Sequence, residues 1–324
     1  MRIIALEEHL VTPMYEQHFP PSRRNSPAML SRQQALGHDV NAELVDIGAS
    51  RIRHMDAVGI DVQVLSLTQP GAQAFAPDIA IPLAKDCNDR VAAAIKANPT
   101  RFAGFATLAT AAPEEAAKEL ERCVKHLGFK GTMINSHTEG EFLDNKKYRP
   151  ILEAAAALGV PIYLHPRTPH PAVMKAYFDG FEDISTAAWG FAMEACTHFL
   201  RLVMAGVFDT YPNLVFILGH LGEGLPFWLD RFEDHTRFYM KGRGLKKTPR
   251  QYLTENLVIT CSGNFSIPSF LCSVMSMGID NVLFSVDWPY ESNRLGVEFL
   301  NRLPLSPSDR EKVAHGNAER VLKL

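Results

Sequence analysis

Short apolar runs rich in β-branched residues recur along this chain, and most are followed by a longer stretch with helical spacing. The runs are Ile3–Leu6, Val62–Leu67, Phe102–Leu108, Gly131–Asn135, Val160–His165, Leu214–His220, Leu257–Cys261 and Val282–Asp287. Each has the length and composition of a buried strand. Between them, Ile79–Ala97, Pro113–Leu127, Tyr148–Leu158 and Ser185–Phe208 read as helices. Pro113-Glu114-Glu115 puts proline in a first turn and acids at the positive end of the helix dipole. Gly128 and Gly159 stand just past two helix ends, where a left-handed residue stops the helix. Strands alternating with helices imply parallel pairing through right-handed crossovers, and eight such units close as a (β/α)8 TIM barrel. An open doubly wound sheet is disfavoured, because no Gly-x-Gly-x-x-Gly follows any of the runs.

Two stretches exceed a minimal barrel. Val11–Gly48, with Pro13, Pro20, Pro21, Pro27 and the pair Arg23-Arg24, is expected to be an irregular insertion after strand one. Thr168–Asp183 is a second insertion, after strand five. Both fall on the face where barrel strands end, so they are candidate lids, pocket walls or oligomer contacts. No repeat or low-complexity linker divides the chain, and residues 1–324 read as one domain.

Composition narrows the function classes. A chain of 324 residues that is 46% hydrophobic and 21% charged has ample apolar surface for a large core. Its formal net charge of -3, without a basic block, gives no reason to expect nucleic acid or a membrane surface as partner. The five cysteines are scattered and never form a Cys-x-x-Cys pair, which reads as reduced thiols in the cytoplasm. Glu7 and Glu8 interrupt the N-terminal apolar run, so no signal peptide is expected, and no run reaches membrane-spanning length.

The chemistry collects at strand ends. Strand one leads into Glu7 and His9, two residues apart and therefore on one face; strand five ends in His165, strand six in His220 and strand eight in Asp287. In a closed barrel all strand C-termini share one mouth, so these residues converge. Nitrogen and oxygen ligands without thiolate suit Zn2+ or Mn2+, with Mg2+ also compatible. Glu7, His9, His165 and Asp287 are the expected ligand set. His220 is then an acid/base group, with Glu223 three residues on to orient its imidazole. A helix-start acid is the plainer account of Glu223.

With Leu6-Glu7-Glu8-His9, Leu164-His165-Pro166-Arg167, Gly219-His220-Leu221-Gly222-Glu223 and Ser285-Val286-Asp287-Trp288-Pro289 in view, the chain resembles the amidohydrolase superfamily. Its nearest resemblance there is to the metal-dependent non-oxidative decarboxylases of hydroxybenzoates, acting on γ-resorcylate, 2,3-dihydroxybenzoate or 5-carboxyvanillate. Hydrolytic members carry His-x-His in the first motif, whereas this chain has Glu7-x-His9. The run closing in Asn135-Ser136-His137 offers no lysine for carboxylation, which argues for one metal ion. The resemblance implies loss of CO2 from an ortho-hydroxylated benzoate, with the ring carbon protonated by Asp287 and with His220 and Glu223 as the second acid/base pair. It implies no NAD and no PLP, a small aromatic carboxylate as ligand, and a homodimer or homotetramer. Arg167, His170, Trp288 and Arg231 are candidate substrate contacts. A metal-dependent hydrolase of a lactone or amide is the competing reading on the same barrel.

Overall fold

The computed structural model describes residues 1–24 and 26–324; Asn25, inside the expected first insertion, lies outside the described residues. Eight parallel strands form: β1 (Ile4–Leu10), β2 (Val62–Leu67), β3 (Phe102–Gly104), β4 (Thr132–Asn135), β5 (Ile162–His165), β6 (Phe216–Leu218), β7 (Leu257–Thr260) and β8 (Val282–Leu283). They pair in sequence order as β1-β2-β3 and β4 through β8. Parallel bridges Ala106 to Thr132 and Glu8 to Trp288 join the two groups, completing a (β/α)8 barrel.

Helices α1 (Pro13–His18), α2 (Pro21–Arg24), α3 (Pro27–Ala35), α4 (Val40–Val45) and α5 (Ala49–Asp56) lie between β1 and β2. The crossovers that follow carry α6 (Pro77–Ala97), α7 (Pro113–Leu127) and α8 (Arg149–Leu158). Next come α9 (Pro171–Tyr177), α10 (Gly190–Met204) and α11 (Val207–Thr210), then α12 (Leu225–Gly242) and α13 (Pro249–Glu255), then α14 (Ile267–Met277). Beyond β8, α15 (Asn293–Arg302), α16 (Pro307–Glu311) and α17 (Asn317–Leu322) close the chain. In α7 the buried residues Ala116, Glu119, Leu120 and Cys123 recur at helical spacing, and Gly128 at φ +75° ends the helix. None of the helices described is long and apolar enough to cross a membrane.

Three expectations are corrected. The first insertion is not irregular: it folds into short helices, with Thr12, Ser26 and Asp39 side chains accepting from the backbone N–H groups of Tyr15, Met29 and Ala42. Ser185–Phe208 is not one helix, because Gly206 at φ +72° breaks it between α10 and α11. Finally, β1 does not stop at Leu6 but continues through Glu7, Glu8 and His9 to Leu10, with every residue buried.

The barrel has two apolar layers. Ile4, Leu6, Val62, Val64, Phe105, Met133, Tyr163, Ile217, Val258 and Leu283 fill the interior. Ala5, Leu65, Phe102, Ile134, Leu164, Leu218 and Ile259 pack the outer faces of the strands against the helices. Strict alternation from Ile4 and Leu6 would turn Glu8 inward and Glu7 and His9 outward. A β-bulge between Ala5 and Glu8 changes this: Ala5 pairs with Gln63 but Glu8 pairs with Leu65, so β1 carries one extra residue. Past the bulge Glu7 and His9 face the barrel mouth and Glu8 faces out.

Candidate metal centre

At the C-terminal mouth one ligand atom from each of Glu7, His9, His165 and Asp287 lies within 4.8 Å of the others. His165 Nε2 is 3.1 Å from Glu7 Oε1, and His9 Nε2 is 3.1 Å from Asp287 Oδ1. Glu7 Oε1, His9 Nε2 and Asp287 Oδ1 are buried and have no hydrogen-bond partner among the described residues. Three buried polar atoms left unpaired at one point are costly unless something is bound there, so the donor set fits a divalent cation. His165 Nδ1 lies 2.6 Å from the Pro166 carbonyl; donation there leaves the Nε2 lone pair for the ion.

The other oxygen of Glu7 is fully occupied. Tyr163 and Ser262 both donate their hydroxyls to Glu7 Oε2, and Thr260 Oγ1 links to them at 2.8 and 3.0 Å. Glu7 therefore offers a single oxygen to an ion. Gly219 makes room for this arrangement: a Cβ there would lie 2.7 Å from Glu7 Oε2 and 3.0 Å from Ser262 Oγ. Burial alone would raise the pKa of Glu7, but the charge of His220 and then the contacts of His165 and His9 hold it well below the usual carboxylate range. Burial, and then the Glu7 charge, push the Tyr163 hydroxyl well up, so it remains a donor.

Glu8 knits the back of the site. Its Oε1 accepts from Val286 N–H at 3.1 Å and Ser285 Oγ at 3.2 Å, and its Oε2 from Gln63 Nε2 at 3.1 Å. Arg51 of α5, only 1% exposed, donates to the His9 carbonyl at 2.5 Å, to Gln63 Oε1 at 3.4 Å and to the Asp46 carbonyl at 2.8 Å. Burial pushes Glu8 up to about 8, with the Val286 N–H and the Arg51 charge pulling the other way.

His220 stands at the rim. Its Nε2 is 3.5 Å from Asp287 Oδ2 and 3.8 Å from Glu7 Oε1, and its Nδ1 is 2.6 Å from Glu223 Oε1. Burial alone would lower its pKa, but the carboxylates of Glu223, Glu7 and Asp287 outweigh this and hold it well above the ordinary histidine value. His220, Leu221 and Glu223 all have positive φ, alternating with glycines, and Asp287 has φ +78°. Such strained backbone needs compensating contacts, and here it aims His220 and Asp287 at the same point. His220 also borders a cavity of about 500 Å³ with Pro226, Phe227, Asn264 and Cys272.

The candidate substrate contacts separate. Arg167 Nη1 donates to the His137 carbonyl at 3.0 Å, while its Nε has no partner among the described residues. His170 caps α9 by accepting from Ala172 N–H at 3.3 Å. Trp288 does not stand over the ligand set; its ring is buried between His38 and His54, each with ring centroids 5.0 Å away. Arg231 is exposed on α12. His198 is structural: its Nε2 accepts from Leu143 N–H at 2.9 Å and its Nδ1 lies 3.2 Å from Ser136 Oγ. Ser136 also donates to Glu194 Oε1 at 3.0 Å, and burial pushes Glu194 up to about 7, with Ser136 and Arg167 opposing. Sequence reasoning missed Tyr163 and Ser262. Tyr163 lies two residues before His165, on the same strand face, and that spacing was a usable signal.

Residues 15–324 match the amidohydrolase family model. The chain is similar to gamma-resorcylate decarboxylase of Polaromonas sp. strain JS666, with 39% identity covering 99% of this chain and 98% of that protein. A Rhizobium sp. gamma-resorcylate decarboxylase is 36% identical over the same shares. Among solved structures, a 2,6-dihydroxybenzoate decarboxylase complexed with 2,6-dihydroxybenzoate superposes with a TM-score of 0.91 at 35% identity, covering 100% of both chains. A dihydroxybenzoic acid decarboxylase from Polaromonas sp. JS666 with bound manganese and 2-nitroresorcinol gives 0.90 at 36% identity, covering 100% of this chain and 97% of that one.

Proposed function

The chain belongs to the amidohydrolase family, and on that premise we propose that it catalyses metal-dependent, non-oxidative decarboxylation of an ortho-hydroxylated benzoate. The activity and the manganese of its relatives support the reading. The observation that carries it is the convergence of four ligand atoms, three of them buried and otherwise unpartnered among the described residues. Glu7, His9, His165 and Asp287 would hold one divalent ion, manganese or zinc by the chemistry of the donors. When bound, the ion supplies a positive centre for the ortho oxygen and one carboxylate oxygen of the substrate.

Decarboxylation replaces the bond from ring carbon to carboxylate with a carbon–hydrogen bond. A proton adds to the ring carbon, and the carbon–carbon bonding pair returns to the ring as CO2 leaves. No electrons are gained or lost, so neither a nicotinamide nor pyridoxal phosphate is called for. Asp287 is the proton donor, and His220, 3.5 Å away, restores its proton. Glu223 on Nδ1 fixes the His220 ring and favours its charged form. Arg167, whose Nε has no partner among the described residues, is the substrate contact that this reading keeps. Free thiols, three of them fully buried, suit the reducing cytoplasm. Exposed Phe227, Trp228, Phe238 and Tyr239 on α12 support self-association as a homodimer or homotetramer, which light scattering would size.

The test is a panel of ortho-hydroxybenzoates given to manganese-loaded protein, with ring absorbance and CO2 release followed. Asp287→Asn should abolish turnover while the barrel stays folded. Hydrolysis of a lactone or amide panel, with no hydroxybenzoate consumed, would overturn the reading in favour of a hydrolase.

A further inference from the structure

Helix α3 of the first insertion has little apolar footing. A surface helix is normally seated by a buried apolar stripe, but from Met29 to Ala35 only Gln33 is buried, and Leu30 is exposed. Gln33 Nε2 donates to the Tyr290 carbonyl at 2.6 Å. Its neighbour Arg32 donates to both carboxylate oxygens of Glu291, at 2.7 and 2.9 Å, and to the same Tyr290 carbonyl at 3.2 Å. Just past the helix, His38 gives its N–H to the Gln33 carbonyl at 2.9 Å and sets its ring edge-on against Trp288. Arg32, Gln33 and His38 thus all reach one segment, Trp288–Glu291.

That segment follows Asp287 directly. Asp287 sits at φ +78°, a conformation that persists only where its neighbours over-determine it. The barrel supplies part of the hold: His9 N–H donates to the Trp288 carbonyl at 2.7 Å, and the Tyr290 hydroxyl lies 2.8 Å from Thr68 Oγ1. Within the loop, Glu291 N–H returns to the Asp287 carbonyl at 2.9 Å. The first insertion adds two donors on the Tyr290 carbonyl, the ion pair to Glu291, and the packing of Trp288 between His38 and His54. A helix with few buried apolar contacts belongs to the most readily opened part of a fold. Because its polar contacts land on the loop behind Asp287, opening of α3 and loosening of Asp287 are coupled.

We propose that α3 is a latch on the Asp287 loop, in which Gln33 and Arg32 are positioning residues. Shut, the latch fixes the Asp287 carboxylate beside Glu7, His9 and His165; open, it lets the loop relax. This role rests on the reading of Asp287 as ligand and proton donor, and two of the three readouts that test it need no turnover.

In a Trp189→Phe, Trp228→Phe background Trp288 is the only tryptophan left, and acrylamide quenching reports its exposure. Gln33→Met keeps the length of the side chain and removes the donor, while Arg32→Ala removes the ion pair at a half-exposed position. Both should make Trp288 more readily quenched. Mn2+ affinity, read by competition with a chelator, should fall about tenfold, as is typical when the supports of a metal ligand are removed. At saturating Mn2+, kcat for 2,6-dihydroxybenzoate should fall about five- to tenfold with KM held within about threefold. Arg32→Lys, which keeps the charge but not the planar fork, should recover part of each loss. A role in stability alone would lower the urea midpoint and leave the Mn2+ affinity and kcat of the folded protein unchanged.

Mn2+ affinity and kcat within about twofold of the background in both variants would overturn the latch. That holds even if Trp288 became easier to quench, since α3 would then be a cover with no grip on Asp287. If Gln33→Met does not fold, Arg32→Ala together with Arg32→Lys decides on the same readouts. Mn2+ affinity that falls in the variants of a protein turning over no hydroxybenzoate would keep the latch and remove the decarboxylase reading.

Discussion

Tyr163→Phe tests whether the free oxygen of Glu7 is held for a metal ion. The hydroxyl of Tyr163 is one of two that pin Glu7 Oε2, and deleting it leaves the ring in place beside Phe105, at 5.8 Å between centroids. Core volume is thus nearly unchanged, and the loss is confined to one hydrogen bond to a buried carboxylate. Such bonds contribute about 1.5 to 3 kcal/mol, which is roughly 10- to 100-fold in an equilibrium constant. Removing the partners of a metal ligand typically costs about 10- to 100-fold in metal affinity, the same range reached independently. Ser262 remains on Glu7, so the lower end is expected for the single variant and a further loss for Tyr163→Phe with Ser262→Ala. Competition between protein and a chelator for Mn2+ reads the affinity directly. If Tyr163→Phe bound Mn2+ within a factor of about three of wild type, the idea that Tyr163 fixes Glu7 for single-oxygen ligation would be wrong.

Two further outcomes follow from buried charges. Arg51→Met strands the buried acceptors that its guanidinium serves at His9, Asp46 and Gln63; leaving one buried acceptor unsatisfied costs about 1 to 3 kcal/mol. Urea denaturation should show a loss of at least that size, and a change below about 1 kcal/mol would argue against the role of these hydrogen bonds. Glu194, facing Ser136, His137 and Arg167, is pushed by burial from 4.5 up to about 7. Because its folded pKa is above its unfolded one, the folded protein binds that proton more tightly, and stability falls as pH rises from 4.5 to about 7. At about 1.4 kcal/mol per pH unit the penalty reaches roughly 3 kcal/mol at pH 8 and vanishes near pH 4. Glu194→Gln should therefore gain on wild type by about that amount between pH 4 and pH 8, and a difference that does not change with pH would refute it.

Much of the architecture was legible because it is written in local periodicity. Seven of the eight apolar runs contain a whole strand of the barrel and the first, Ile3–Leu6, contains the start of β1, while α7 runs from Pro113 to Leu127 as its proline, acids and closing glycine indicate. Strand ends were less legible: the run Phe102–Leu108 pairs regularly only to Gly104, and Val282–Asp287 only to Leu283. Apolar composition continues past the point where the ladder opens toward the mouth. The helices of the first insertion were hidden because they are short and their prolines suggested irregular chain, although Pro13 and Pro21 sit in first turns. Convergence of Glu7, His9, His165 and Asp287 could be inferred because a barrel brings all strand ends together. The position of Trp288 could not, since adjacency to Asp287 in sequence says nothing about which way a ring turns when Asp287 itself has φ +78°.

The first motif shows how a right conclusion can rest on an incomplete premise. Spacing of two places Glu7 and His9 on one face, but it does not say which face, and counting from Ile4 and Leu6 selects the outer one. The bulge reverses that choice, and its stability comes from the opposite end of the barrel sequence. Ser285 accepts from both Leu6 N–H, at 3.2 Å, and Glu7 N–H, at 2.6 Å, the amides at the bulge. It also donates to Glu8, which takes the Val286 N–H in turn. These residues immediately precede Asp287. The same contacts that turn Glu7 and His9 inward therefore fix the segment carrying Asp287, the fourth proposed ligand, against them. That is why Glu8, which faces away from the proposed ligand atoms, bears on the site: its carboxyl and the Ser285 hydroxyl hold the β1 pair and the segment leading to Asp287 in one geometry.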